Sequence, residues 1–375
     1  MRSIIVNNPR TSYFVGGSEM VSMQHAKSIQ QLGYDVTFTT INPESINKAY
    51  SEQYKLFKRK YYSDIHFEEL AQDPKALFIY DIEPGEDRSR WNTEALFYNR
   101  RLFNYLTKSK TSYDAMLSYF NIDALVIPSE KVSNNIIYLS GIPKDESIFR
   151  HSFLSAYDKL FAITNETKDY WQKYAQHPIS VVYTGVDTDR FKPGERERNS
   201  KLTVLFVGRL IERKGCDVLL GAIAAMPKNI LNDVCVNIVG DGPQRNKLES
   251  MAFDLGISKR VNFLGSVSNP EHYMSSADIC AFPSLRGEGL QGVVLEAMAC
   301  GLSVIAGDTE MNIELLGEGR GLAIDSSRIE FLRDGLINLI ESPDLRKQMG
   351  GASRKYVLEH FNWNKLTQDI LREVL

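Results

Sequence analysis

Strand-like runs alternate with helix-like stretches along almost the whole chain, and that alternation limits the fold more than any other feature. In the first half, residues 3–7, 35–40, 76–80, 115–119, 136–139, 160–163 and 179–183 are short and apolar enough for buried strands. Between the first two, residues 18–32 carry Met20, Met23, Ala26, Ile29 and Leu32 at helical spacing, and Gly33 is a natural stop. The rhythm restarts after residue 200, with strands expected at 203–207, 234–239, 261–263, 279–282 and 303–306. Helices are expected from 215, over 244–255, through Glu296, and over 328–340 and 344–359. Parallel strands cannot be joined by tight hairpins, so each needs a crossover, usually a helix. The chain is therefore α/β with parallel sheets. Residues 43–73, rich in Tyr and Lys, fit neither period and stay unassigned.

At 375 residues the chain exceeds one ordinary core. Two domains are expected, 1–185 and 186–360, followed by a tail at 361–375 that carries Phe361 and Trp363. Near the boundary, Lys192-Pro193-Gly194-Glu195-Arg196-Glu197-Arg198 is polar and aperiodic, as a linker or exposed loop would be. A net charge of −3 argues against a general nucleic-acid binder. No apolar stretch approaches the roughly 20 residues that span a bilayer, and the run before Pro9 is too short for a signal peptide. A cytoplasmic protein is expected. Cys216, Cys235, Cys280 and Cys300 form no Cys-x-x-Cys pair and read as small buried hydrophobes. The six histidines lack metal-ligand spacing, so no metal site is expected.

Two frames carry the chemistry. Gly208-Arg209-Leu210-Ile211-Glu212-Arg213-Lys214-Gly215 places two cations after a buried strand and before a helix. Glycine lets backbone approach a ligand closely, and the helix start adds positive potential, which together suit a diphosphate. Glu288-Gly289-Leu290-Gln291-Gly292-Val293-Val294-Leu295-Glu296 places one carboxylate in a glycine-flanked loop and another inside the following helix. Carboxylates are acceptor-only groups and suit pairs of sugar hydroxyls. Both together describe a site for a nucleotide-activated sugar.

With these frames the chain resembles the retaining glycosyltransferases of family four, which have the GT-B fold. Further matching pieces are Thr184-Gly185-Val186-Asp187 ahead of Phe191, Val239-Gly240-Asp241-Gly242-Pro243, Phe263-Leu264-Gly265, and Ala277-Asp278 leading to Pro283-Ser284. The resemblance covers nearly the whole chain and is strongest over 181–301. It implies two Rossmann-like domains with parallel sheets facing across a cleft, an acceptor-binding first domain, a donor-binding second domain, and a tail helix that crosses back to the first. It also implies roles. Arg209 and Lys214, with Gly208, would hold the donor diphosphate, and Glu288 would lie against the transferred sugar. Glu296 would reach the ribose, with Gly289, Leu290, Gln291 and Gly292 around them. Gly16 and Gly17, ahead of the first helix, would lie near the donor phosphates.

Each reading has a plainer rival. Arg209 and Lys214 could form surface ion pairs with Glu212 or Asp217, and Gly16-Gly17 could be only a turn. Gly240 to Pro243 lacks a third glycine and reads as a tight strand-to-helix turn rather than a dinucleotide fingerprint. The cluster Lys55, Lys58, Arg59, Lys60, Tyr61 and Tyr62 could be a solvated face, or could meet an anionic acceptor or a membrane surface. The chain also departs from the family. No histidine follows the strands near Asp114 or Tyr138, which leaves Ser118, Tyr119 or Asn121 as substitutes, Tyr119 foremost; Tyr119 could equally be a core aromatic. Gly307-Asp308-Thr309-Glu310 lacks the usual glycine pair.

The expected activity is transfer of a sugar from a nucleotide-diphosphate sugar, a UDP-sugar first and a GDP-sugar second, to a hydroxyl of a glycan, a lipid-linked sugar or a small molecule. No cofactor is expected. A nucleotide-sugar epimerase or phosphorylase of the same fold, or a catalytically weak nucleotide-binding subunit, are the alternatives. Sugar, acceptor, linkage and oligomeric state are not written in the sequence.

Overall fold

The computed structural model describes residues 2–11, 17–45, 55, 58, 62–72, 88–119, 127–142, 153–194, 201–285 and 292–375. The strand expected at 76–80 lies outside the described residues, as do Gly16, Asn121, Glu288, Gly289, Leu290 and Gln291. The chain divides into two compact units: Met1–Thr184 with Trp363–Leu375, and Gly185–Asn362.

The first unit is built on a parallel sheet of β1 (Ser3–Asn7), β2 (Asp35–Ile41), β3 (His66–Leu70), β4 (Ala115–Ser118), β5 (Asn135–Leu139), β6 (Lys159–Ala162) and β7 (Ile179–Val181). Their order is β3-β2-β1-β4-β5-β6-β7. The order reverses between β1 and β4, the place where open α/β sheets leave a crevice at their carboxyl ends. Helix α1 (Gly17–Gln31) buries Met23, Ala26 and Ile29 and ends at Gly33, whose φ of +89° suits glycine. The 21-residue helix α2 (Arg88–Lys108) packs Tyr98, Leu102 and Leu106 against Ile5 and Met116 of the sheet. Helix α3 (Asn165–Gln172) starts under Thr164, whose side chain accepts from the Thr167 N–H.

Strand β3 was not expected, since 43–73 shows no period. It is an edge strand of sequence HFEEL, intermediate or exposed throughout, with the Phe67 ring tilted against Phe38 at 5.0 Å. Half-exposed edge strands need little apolar surface, so periodicity does not betray them.

The second unit holds β8 (Leu202–Val207), β9 (Val234–Val239), β10 (Val261–Gly265), β11 (Ile279–Phe282), β12 (Ser303–Gly307) and β13 (Leu322–Ile324), in the order β10-β9-β8-β11-β12-β13. Every pairing is parallel, and the switch falls between β8 and β11. Around the sheet lie α4 (Cys216–Ala224), α5 (Lys228–Leu231), α6 (Arg245–Asp254), α7 (Pro270–Ser276), α8 (Gly292–Ala299), α9 (Glu310–Leu316), α10 (Ile329–Glu341) and α11 (Pro343–His360). The core gathers Val204, Phe206, Leu219, Leu220, Val236, Ile238, Ile305, Leu332 and Leu336. Strand β13, α7 and α9 were not anticipated. Cys216, Cys280 and Cys300 are buried and Cys235 partly so, all as free thiols.

Helix α12 (Trp363–Val374) belongs to the first unit. It buries Leu366, Ile370 and Leu371 and lies on α1, where the Ser28 hydroxyl donates to Asn364 at 2.6 Å. Ser180 of β7 donates to Glu373 at 2.9 Å.

Candidate active site

In the second unit, backbone contacts too close for any Cβ shape the carboxyl edge of the sheet. A methyl on Gly240, at φ +134°, would stand 1.9 Å from the Gly208 carbonyl oxygen. One on Gly242 would stand 2.4 Å from the Leu210 carbonyl oxygen. The turn after β9 therefore presses on Gly208–Leu210, and hydrogen bonds fix the contact. Gly208 N–H donates to Val239, Leu210 N–H to Asp241 and Gln244 N–H to Leu210, all within 3.1 Å. The tight-turn reading of Gly240 to Pro243 describes its shape; its consequence is that it holds the segment bearing Arg209.

On the other side of β8, Gly215 has φ +67°, and a methyl there would fall 2.0 Å from the Pro283 carbonyl oxygen. Leu285 N–H donates to the Arg213 carbonyl at 2.9 Å. The loop ending at Gly215 thus rests on Pro283–Leu285, the residues just after β11. Gly307 completes the packing, with its Cβ position 2.1 Å from the Ser284 carbonyl oxygen. The single glycine there, in place of a pair, seats β12 against Ser284, and Thr309 caps α9 by accepting from the Asn312 N–H.

On this scaffold the Arg209 side chain is exposed and its guanidinium pairs with no described residue, Glu212 and Asp217 included. Lys214 closes the short turn Glu212–Lys214 and is partly buried. Gly292 begins α8, and Glu296 lies one turn in, partly buried. The Glu296 carboxyl likewise has no hydrogen bond or ion pair with any described residue. Burial pushes it up to about 7, with Arg190 acting downward and Glu271 upward. Sequence reasoning missed those two neighbours. Arg190 donates through Nε and Nη2 to Glu271 Oε2, at 3.2 and 2.9 Å. The partners lie 81 positions apart, so only the fold brings them together.

In the first unit the strand ends are filled differently. Asn8 donates to Ser22 at 3.1 Å, Thr39 donates to Asn7 at 2.7 Å, and Tyr98 donates to Asn7 at 3.1 Å. Arg10 and Glu19 form a buried ion pair at 3.8 Å. Gly17 begins α1. Tyr119, at the end of β4, is buried, and its hydroxyl is hydrogen-bonded to Nδ1 of His25 on α1. His25 also meets Tyr138 and Trp363 edge-on, at 5.0 and 5.1 Å. Burial draws the imidazole down to about 3, so it is neutral, and it raises the Tyr119 phenol well above its ordinary value. Tyr119 is thus a member of a buried aromatic group, and its hydroxyl is committed to histidine. That histidine comes from helix α1 rather than from the end of either strand.

The described lysines of the basic cluster, Lys55 and Lys58, are engaged. Lys58 bonds Glu69 at 2.7 Å and lies over the Phe67 ring, and Lys55 bonds Glu44. Arg59, Lys60 and Tyr61 lie outside the described residues. Among the described residues no helix is long and apolar enough to cross a membrane, and no group of three or more metal-ligating side chains occurs.

Residues 187–356 match the family described as Glycosyl transferases group 1. An uncharacterised glycosyltransferase of Methanocaldococcus jannaschii is 25% identical over 289 residues, 74% of this chain and 72% of that protein. The GDP-mannose-dependent alpha-(1-6)-phosphatidylinositol monomannoside mannosyltransferase of Mycobacterium tuberculosis is 33% identical over 207 residues, half of this chain. That match spans 53% of the mycobacterial enzyme. Among solved structures, Anabaena HepE in complex with UDP-glucose superposes with a TM-score of 0.76 at 17% identity, over 100% of this chain and 99% of that one. Sucrose-phosphate synthase from Thermosynechococcus elongatus gives 0.75 at 18%, over 99% and 98%. These structural likenesses establish the GT-B type of fold, with its two Rossmann-like domains.

Proposed function

We propose that this chain, whose residues 187–356 match the group 1 glycosyltransferases, binds its donor, a nucleotide-diphosphate sugar, in the second unit, and that the sugar passes to a hydroxyl acceptor with retention of anomeric configuration. One observation carries this reading. A cation and a carboxyl, Arg209 and Glu296, have no partner among the described residues, on segments flanking the sheet's switch point. Folding gains nothing from unpaired polar groups held beside a rigid backbone, whereas a ligand with an anionic end and hydroxyls satisfies both.

Arg209 and Lys214 take the diphosphate, with the start of α4 adding its positive end. Glu296 accepts from the ribose hydroxyls, and Glu288 faces the transferred sugar. Fixed cations at the leaving group stabilise the charge that develops as the glycosidic bond breaks, and the site needs no reorganisation at that moment. The 33% identity to a GDP-mannose-dependent enzyme makes GDP-mannose the first donor to test and UDP-glucose the second, reversing the order expected from sequence. A glycan or lipid-linked acceptor fits that relative, whose printed acceptor is a phosphatidylinositol mannoside.

Thermal-shift and calorimetric titration with GDP-mannose and UDP-glucose test the proposal. A donor at 100 times its Kd adds about 2.7 kcal/mol of stability. Binding of one donor that is lost in Arg209→Ala is the expected result. Failure of both, or equal binding by the variant, overturns it.

A further inference from the structure

We propose that a groove at the amino edge of the first unit's sheet binds carbohydrate, apart from the crevice at the carboxyl edge. Its volume of about 560 Å³ is that of a small-ligand site, and β2, β3, the end of α2 and the segment before β4 line it. Strand register explains why its polar groups converge. Thr37 of β2 pairs with His66 of β3, and side chains alternate along a strand, so Asp35, Thr37, His66 and Glu68 share one face. Helix α2 packs on that face through Ile5, the partner of Thr37 on β1, and brings Tyr105 and Lys108 to the groove.

These groups keep hydrogen-bonding capacity in hand. Thr37 is only 7% exposed, yet its hydroxyl bonds to no described residue. The Tyr105 and Tyr113 hydroxyls lie 3.3 Å apart, so the pair spends one O–H and keeps the other. Glu68 Oε1 is 3.0 Å from His66 Nε2, and Asp35 Oδ2 accepts from the Ser3 hydroxyl at 3.1 Å. The second oxygen of each carboxylate, like the Lys108 ammonium, has no partner among the described residues. The lining therefore both accepts and donates. A phosphate only accepts and would face two carboxylates, while a cationic amine only donates and would face a lysine. Among the described residues no three side chains could hold a metal ion. A hydroxyl does both. A sugar ring matches this set, with neighbouring hydroxyls donating to Asp35 and Glu68 and its oxygens accepting from Lys108 and the spare tyrosine O–H. The groove would hold a sugar unit of the acceptor or product glycan, a role that rests on the glycosyltransferase reading; the binding itself does not.

Fluorine NMR of the full chain labelled with fluorotyrosine tests this, the two groove signals being assigned from Tyr105→Phe and Tyr113→Phe. The probes are maltose and mannobiose, with spermidine and inorganic phosphate as controls. Either disaccharide, at millimolar concentration, should shift both groove signals, and the controls should leave them in place. Thr37→Val keeps the shape of the side chain and removes its hydroxyl. It should retain the melting temperature and bind the sugar about tenfold more weakly, as one lost hydrogen bond implies. Shifts confined to other tyrosines, equal or larger shifts by spermidine or phosphate, or no shift at all overturn the proposal. Equal affinity in Thr37→Val overturns it too. No donor and no transfer enter this measurement, so the groove can fail while donor binding stands, and donor binding can fail while the groove stands.

Discussion

The polar groups at the carboxyl edges of the two sheets are used in opposite ways. In the first unit most satisfy one another: Asn8 with Ser22, Asn7 with Thr39 and Tyr98, His25 Nδ1 with Tyr119, while Ser118 Oγ and His25 Nε2 are buried without a partner among the described residues. In the second unit, glycines pressed against carbonyls set the shape, and Arg209 and Glu296 have no partner among the described residues. Groups that hold a fold spend their hydrogen bonds inside it, while groups that hold a ligand must keep theirs in reserve. Stability and activity should therefore respond to different residues in the two regions.

The harshest test falls on the backbone. Gly240→Ala forces a methyl to 1.9 Å from a carbonyl oxygen at φ +134°, and should cost at least about 3 kcal/mol in a urea melt. Gly33→Ala, at φ +89° with nothing within 4 Å, should cost only about 1–2 kcal/mol. Similar losses in both would mean that close approach does not govern the second unit. Next comes Arg209→Ala, expected to leave the melting temperature in place and to lower transfer by about 10²–10³. A drop in stability with unchanged transfer would reverse the contrast between the regions.

Tyr119→Phe should act in the other direction. It leaves both ring nitrogens of buried His25 without a partner, since Nε2 already has none, and should cost about 1–3 kcal/mol of stability. A melting temperature equal to the parent's would show that the pair is idle. The smallest effects are in pH. Neutral His25 titrates near 3 in the fold against an ordinary 6.5, so the unfolded chain takes up the proton first as pH falls. Stability should decline below about pH 6.5, by at most about 1.4 kcal/mol per unit, and His25→Phe should flatten that slope. Glu296 has the opposite sign. Its folded carboxyl titrates near 7 against 4.5, so the unfolded chain loses its proton first and stability falls as pH rises across that window. Glu296→Gln should remove this opposite slope, visible in melts of the ligand-free protein.

Strands buried on both faces were legible to within a residue or two, because continuous apolar runs such as Ile279–Phe282 need no other context. The 21-residue helix Arg88–Lys108 was passed over although Tyr98, Leu102 and Leu106 fall on one stripe, crowded there by Asn and Arg. Strand His66–Leu70 was hidden by its own exposure. At the candidate site, Arg209, Lys214 and Glu296 stood out because each sits in a compact frame of a few residues. His25 did not, being 94 positions from Tyr119, and neither did Arg190 and Glu271. A lone histidine on an apolar helix face carries no local sign of its partner. Spacing within one element can be read from sequence; pairing across elements waits for the fold.

Helix Trp363–Val374 sets an order of events during synthesis. The face of α1 that carries His25 and Ser28 is closed by Trp363 and Asn364, yet those residues leave the ribosome only after the whole of Gly185–Asn362. At about 5–20 residues per second, that interval is roughly 10–35 s. Throughout it the first unit's strands are made while one side of its core faces water or a chaperone. A nascent chain stalled before Trp363 would thus present a nearly complete first unit with an open apolar flank, and the unit translated first is the one that finishes last.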